Sequence, residues 1–268
     1  MQLSSYIPCF YIQHHSMESI LTYDGSFDGL LTCVFEVFEY KLQNCRIQKS
    51  DVPLLSLFST ARFVEIHPEK TARVWKGLAA RGGKSAQHNV FCVYLSELPE
   101  LEELILGYMQ HLFGSGLNVH NDFSSHYVLR VAQTERKVHR EKHRMEAFIR
   151  FRLTKDNIYF ATIEPDFNVL PLLRSHFKER YADQQWIIYD TGRKSGLYYD
   201  LQQVNDITMS FNEPVENTPS LCFDEKEEMF QELWKGYFAA TNIKARKNLK
   251  LHIQHVPRRY WKYLIEKQ

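Results

Sequence analysis

Nowhere in the 268 residues do the ~20 consecutive apolar residues needed to cross a bilayer occur, so no membrane-spanning helix and no membrane partner are expected. Cysteine is scarce and scattered. Cys9, Cys33, Cys45, Cys92 and Cys222 are odd in number and form no C-x-x-C pair, which argues against a disulfide framework and a cysteine metal knuckle. Reduced, mostly buried thiols are expected. The first twenty residues lack the basic stretch and small-residue cleavage site of a secretion signal, and a cytoplasmic location is the expectation. Arg81-Gly82-Gly83-Lys84-Ser85 lacks the upstream glycine of a phosphate-binding loop and follows no expected strand, which disfavours nucleotide hydrolysis. No internal repeat or low-complexity tract is present.

What the chain has is charge sorted along its length. Residues 130–152 hold eight Lys/Arg against three glutamates, and residues 244–267 hold eight against Glu266 alone. With a net charge of +1 overall, the remainder is strongly acidic. A uniformly solvated surface has no need of such polarity, so the two basic segments are expected to meet on one face.

Local patterns give a mixed α+β fold: a helical N-terminal part followed by an antiparallel sheet of hairpins covered by helices. The divisions expected are an extension over 1–20, a mainly helical region over 21–116 and an α+β core over 117–268 ending in the basic segment. Ser26 can cap a helix whose Phe27, Leu30, Leu31, Val34, Phe35 and Phe38 recur at three and four. Short strands fit 54–58 and 62–66. Pro68 fits the first turn of a helix running to Gly82-Gly83, and Ser85 opens another. Val128, Val131, Val138 and Met145 mark a long helix over about 123–145. Alternation over 147–153 reads as a strand, Lys155-Asp156-Asn157 as a turn into 158–163, and 169–181 as a helix. Strands are then expected at 186–190 and 197–201, a loop at 212–219, and a helix at 224–238 opened by an Asp224/Glu227 capping box.

At 100° per residue, Arg136, His139, Arg140 and His143 fall on the helix side opposite Val138 and Met145. His139 and His143 have metal-ligand spacing, but Glu141 projects about 160° from them and the surrounding cations repel a divalent ion, so neither a metal nor a cofactor is expected. A phosphate-facing surface is the better reading, with Arg144, Arg150 and Arg152 continuing it. In the second basic segment, Arg258, Arg259, Tyr260, Trp261 and Lys262 interleave cations with rings, the ingredients of phosphate pairing and base stacking. The competing reading docks this segment onto the core, its arginines paired with the chain's own acids. Asp166, His176, Asp183 and Asp190, with Arg180 and Arg193, surround the expected hairpins, where an Asp–His general base is conceivable and buried ion pairing explains the same residues more readily.

Several strings are familiar together: YDGSFDGLLTCVFE from Tyr23, RKVHREKHRMEAFIRF from Arg136, PLLRSHFKERYADQQWIIYD from Pro171, GLYYD from Gly196 and VPRRYWKYLIEK from Val256. In combination they resemble a family linked to DNA repair or DNA metabolism, of otherwise unknown function. Its genes accompany a radical-SAM protein, and its core domain also occurs fused to uracil-DNA-glycosylase-like domains. The likeness runs from about Tyr23 to the C-terminus, leaving the segment before Met17 outside it. It implies DNA as a partner and an iron–sulfur radical-SAM protein beside it, and names no catalytic residue. The chain has no three-cysteine cluster of its own, so redox chemistry would belong to that partner. The leading expectation is an accessory protein that presents DNA to a repair or modification enzyme. The alternatives are an enzyme acting on a nucleobase or its glycosidic bond, and a protein–protein adaptor.

Overall fold

The computed structural model describes residues 19–53, 60–114, 122–208, 223–224, 226–241 and 249–267. The fold is mixed α+β, as expected, and the chain divides into two units. One comprises residues 1–94 and 98–131, the other 95–97 and 132–268.

In the first unit, β1 (Ser19–Tyr23) lies between β2 (Cys45–Lys49) and β3 (Thr60–Phe63), parallel to both. The region read as mainly helical thus also holds a small parallel sheet, in which β3 overlaps the strand expected at 62–66 and β1 and β2 were not expected. Strands β1 and β2 have only five residues each, too few for alternation to declare itself. A helix between β1 and β2 makes the parallel pairing possible, because parallel neighbours need a crossover. That helix, α1 (Phe27–Glu39), starts where Ser26 Oγ accepts the Gly29 N–H at 3.0 Å. It buries Leu30, Leu31 and Val34, while Phe38 at its far end remains exposed. The expected strand at 54–58 lies outside the described residues.

Helix α2 (Pro68–Leu95) contains both expected helical runs, joined at Gly83, whose φ of 68° is left-handed and accessible to glycine without strain. Helix α3 (Leu101–Gly114) follows. In this unit Tyr23 donates its buried hydroxyl to Glu102 at 2.8 Å.

Helix α4 (His126–Phe148) buries Val128, Val131, Val138 and Met145, the positions its period marks. It runs further than expected, and only Arg152–Leu153 (β4) of the alternating stretch forms a strand. The Ile149 N–H still donates to the Met145 carbonyl, and Arg150 donates to the carbonyls of Ala147 and Ile149. A cation satisfying the last carbonyls favours continuation of the helix where alternation alone suggested extension.

The second unit is built on a five-stranded sheet ordered β4, β5 (Tyr159–Ile163), β6 (Trp186–Asp190), β7 (Ser195–Tyr199), β8 (Val204–Thr208). It is mixed, which corrects the expectation of an all-antiparallel sheet of hairpins. Strand β5 pairs parallel to β6, with Tyr159 opposite Trp186, because helix α5 (Leu170–Arg180) carries the chain back between them. The β6–β7 and β7–β8 pairs are antiparallel. Four of the five residues of β6 are buried, and Trp186 packs against Phe151, Phe177 and Tyr199.

Helix α6 (Lys226–Thr241) starts near its expected position, but the Asp224 N–H, which a capping box would give to Glu227, donates to the Leu153 carbonyl. The Glu227 carboxylate instead accepts the Leu153 N–H of β4 at 3.0 Å. Phe230, Leu233 and Trp234, which share one side of the helix, are exposed. The expected loop at 212–219 lies outside the described residues. Helix α7 (Leu249–His255) and 3₁₀ turns at Arg258–Tyr263 and Ile265–Lys267 complete the unit.

Candidate functional site

Helix α4 separates its side chains as its period dictates. Arg136, Lys137, His139, Arg140 and His143 are exposed, and Arg136, His139, Arg140 and His143 line a shallow depression together with Glu135. Among the described residues, no carboxylate pairs with Arg136, Lys137 or Arg140. His143 Nδ1 lies 3.6 Å from Glu146, which Lys142 and His176 also approach. The outer face of α4 is thus a run of cations and imidazoles with little internal neutralisation.

The inner edge of the same helix is different. Glu141 is 1% exposed and gathers four donors: Arg259 at 3.0 Å, Arg144 at 3.5 Å, the Asp166 N–H at 3.0 Å and the Tyr260 hydroxyl. Arg259 also pairs with Asp166 at 2.6 Å and donates to the Tyr260 hydroxyl. Tyr260 is itself buried, and burial followed by its bond to Glu141 pushes its pKa upward. Lys262 pairs with Glu164 at 2.6 Å, Arg150 with Glu266 at 2.8 Å, and the Trp261 Nε1–H donates to the Val256 carbonyl. Arg258 remains exposed with its guanidinium 5.8 Å from the Trp261 ring centroid, and Arg152 lies 4.0 Å from the Phe223 ring centroid with its pKa lowered by burial.

The two basic segments therefore do meet, at Glu141, but through a shared acid. Arg144, Arg150, Arg259, Tyr260 and Lys262 spend their hydrogen bonds on the fold, whereas Arg136, His139, Arg140 and His143 face solvent. The pattern marked Glu141 and Glu266 as acids among cations, but read none of Glu141, Glu164 and Glu266 as an anchor for the second basic segment. Glu141 and Glu266 lie within the basic segments themselves, and only Glu164 belongs to the acidic remainder of the chain.

The four acid–base candidates are drawn to separate partners. Asp166 pairs with Arg259, and His176 Nδ1 lies 3.6 Å from Glu146. Asp183 is exposed at the end of α5. Asp190 is wholly buried, accepts the N–H groups of Gly192 and Arg193 at 2.9 and 3.1 Å, and pairs with the Arg193 guanidinium at 2.9 Å. Burial raises its pKa against the opposing pull of Arg193. Arg193 is held in turn by Glu97. Asp190 thus builds the β6–β7 turn, and no Asp–His pair is assembled from these residues.

One of these links has a pH signature. The hydrogen bond from Lys262, and then that from the Tyr263 hydroxyl, hold Glu164 below the ordinary carboxylate value of 4.5. A carboxylate whose folded pKa is depressed stabilises fully above its unfolded pKa and loses that contribution as pH falls through the folded value. Acidification below about pH 4.5 is therefore expected to loosen the segment around Trp261. Tryptophan emission should report this in the wild type, and Glu164→Gln should flatten the transition. An identical acid profile in that variant would show that the link is energetically silent.

No protein of curated function matches the chain. A solved structure described as a member of the s1p family of ribosomal proteins, DHH domain, aligns over 68% of this chain and 73% of its own at 12% identity. Its TM-score of 0.29 is too low to assign fold or function. The profile of a domain of unknown function, DUF4130, matches residues 99–266, spanning α3, α4, the five-stranded sheet and the docked C-terminal segment. With well over half its length under that match, the chain belongs to the DUF4130 family.

Proposed function

We propose that the chain is a nucleic-acid-binding accessory of DNA metabolism, acting beside an iron–sulfur radical-SAM enzyme. The observation that carries the binding half is the outer face of α4, where Arg136, Lys137 and Arg140 are exposed without a carboxylate partner among the described residues. Arginine and lysine in such a row meet phosphates along a backbone and read no bases. The partner half rests on the sequence resemblance. Copurification with the genomic-neighbour enzyme, in the presence and absence of damaged DNA, is its direct test.

Binding is expected to be weakly sequence-dependent and sensitive to salt. If the three cations neutralise about three phosphates, log K falls with log salt at a slope of roughly −3 on a duplex and roughly −2 on a single strand. Arg136→Ala combined with Arg140→Ala should reduce the duplex slope by about two without altering the melting temperature, since both side chains are exposed. Fluorescence anisotropy across a salt series makes the measurement. No affinity at low salt for single-stranded, duplex or lesion-bearing DNA would leave the adaptor reading in its place, with the basic face meeting an acidic protein.

A further inference from the structure

A second concavity lies in the same unit, away from the outer face of α4, between the short strand β4, the end of α5, helix α6 and the last 3₁₀ turn. Its volume is about 520 Å³, within the range of small-molecule sites. We infer that this cavity holds a nucleotide, with its base between aromatic rings and its phosphate toward Arg180.

The walls supply the first reason. Phe151, Tyr159, Tyr181, Phe230 and Trp234 all border the cavity. Phe230 and Trp234 are 54% and 39% exposed, although they belong to the face of α6 whose spacing marks it for burial. Rings left open around a hollow suit a flat, polarisable occupant, because a π-face stacks on any heteroaromatic base. Among the wall rings, Trp234 is held from behind: its Nε1–H donates to Glu266 at 3.0 Å, and the Arg150 guanidinium sits 5.8 Å from its ring centroid.

The polar groups narrow the chemistry. Gln184 and Gln231 both border the cavity. Gln231 gives its amide N–H to Glu227, which leaves its carbonyl oxygen as an acceptor, and no described residue engages the Gln184 carboxamide. Two carboxamides present donors and acceptors in the pattern that a base edge requires and that an acyl chain cannot use. Arg180 at the end of α5 is exposed and, among the described residues, has only the Tyr181 hydroxyl, at 3.4 Å, as a hydrogen-bond partner. Arg150 also borders the cavity, but its guanidinium is committed to Glu266 and to the carbonyls of Ala147 and Ile149, and only its buried Nε has no partner among the described residues. The carboxylate on the wall, Glu227, has both oxygens engaged, by the Leu153 N–H and the Gln231 amide, which leaves Arg180 as the open charge. An anionic heteroaromatic satisfies the rings, the carboxamides and the guanidinium together.

The occupant can arrive as a free mononucleotide or as an unpaired nucleotide within a strand, and two arms separate these sources. In the first, the full chain is titrated with the four deoxynucleoside monophosphates and the corresponding nucleosides by calorimetry. In the second, it is titrated with single strands carrying 2-aminopurine, whose emission reports stacking. Saturable binding is expected in at least one arm. Phe230→Ala should weaken it by about tenfold or more, and Arg180→Ala should remove the preference for monophosphate over nucleoside. Both side chains are exposed, so melting temperatures should stay near wild type. The inference does not need the α4 face: Arg136→Ala with Arg140→Ala should leave mononucleotide affinity unchanged. Mononucleotide binding without any strand affinity would keep the cavity and remove the α4 proposal. Absence of saturable binding in both arms, or binding indifferent to Phe230→Ala and Arg180→Ala, overturns the inference.

Discussion

Glu141→Leu is expected to destabilise the second unit by about 3 kcal/mol, the lower end of what breaking a buried ion pair costs, because Arg259 keeps Asp166 and some water contact. The leucine would fit the volume but strand the Tyr260 hydroxyl and the Asp166 N–H, both of which donate to Glu141. The buried Tyr260 hydroxyl carries the larger part of such a cost, since an exposed residue such as Asp166 has water as an alternative partner. Denaturant unfolding of the full chain measures it, with Trp261 emission reporting whether the C-terminal segment leaves first. Loss below about 1 kcal/mol would mean that the segment is held by its apolar contacts alone. A companion double variant, Glu141→Leu with Tyr260→Phe, should recover part of the loss by removing one stranded donor.

Trp186→Ala should cost more, about 3–5 kcal/mol, as expected for deleting a large ring from a core that cannot collapse around the gap. The ring is wholly buried in the central strand and contacts Phe151, Phe177 and Tyr199. Its Nε1–H, however, is buried without a hydrogen-bond partner among the described residues. Trp186→Phe trades lost packing against the removal of that unsatisfied donor, so it should cost far less than the alanine variant. Equal losses in the two variants would show that the indole N–H is satisfied in solution.

Helices were the more legible part of the fold. The period of α1 and α4 is written in their own residues, and so is the Ser26 cap. The parallel pairs β1–β2, β1–β3 and β5–β6 were not legible, because whether a strand pairs with its predecessor parallel or antiparallel depends on what the intervening chain does in space. The same distinction divides the candidate site. That Arg136, His139, Arg140 and His143 share an outer face follows from 3.6 residues per turn alone. That Arg259 belongs to Glu141 does not, since no periodicity relates residues so far apart. The cavity was hidden for a third reason. Phe230 and Trp234 have the spacing of core residues, and only coordinates reveal that part of their surface has no neighbour.

The anchoring of Arg259 at Glu141 also sets an order of events. Glu141 lies 118 positions from Arg259 and 119 from Tyr260, separations longer than any other described in the second unit. During synthesis helix α4 is complete, with its glutamate in place, long before residues 259–260 are made. Contacts of such sequence separation form late, because loop closure precedes any gain from them. A nascent chain thus carries a glutamate with only Arg144 and the Asp166 N–H as donors at the seam its own C-terminal segment will occupy. Until that closure the outer cations of α4 have a partly claimed counter-charge on the same helix, and the basic face reaches its full strength only when the last segment is docked.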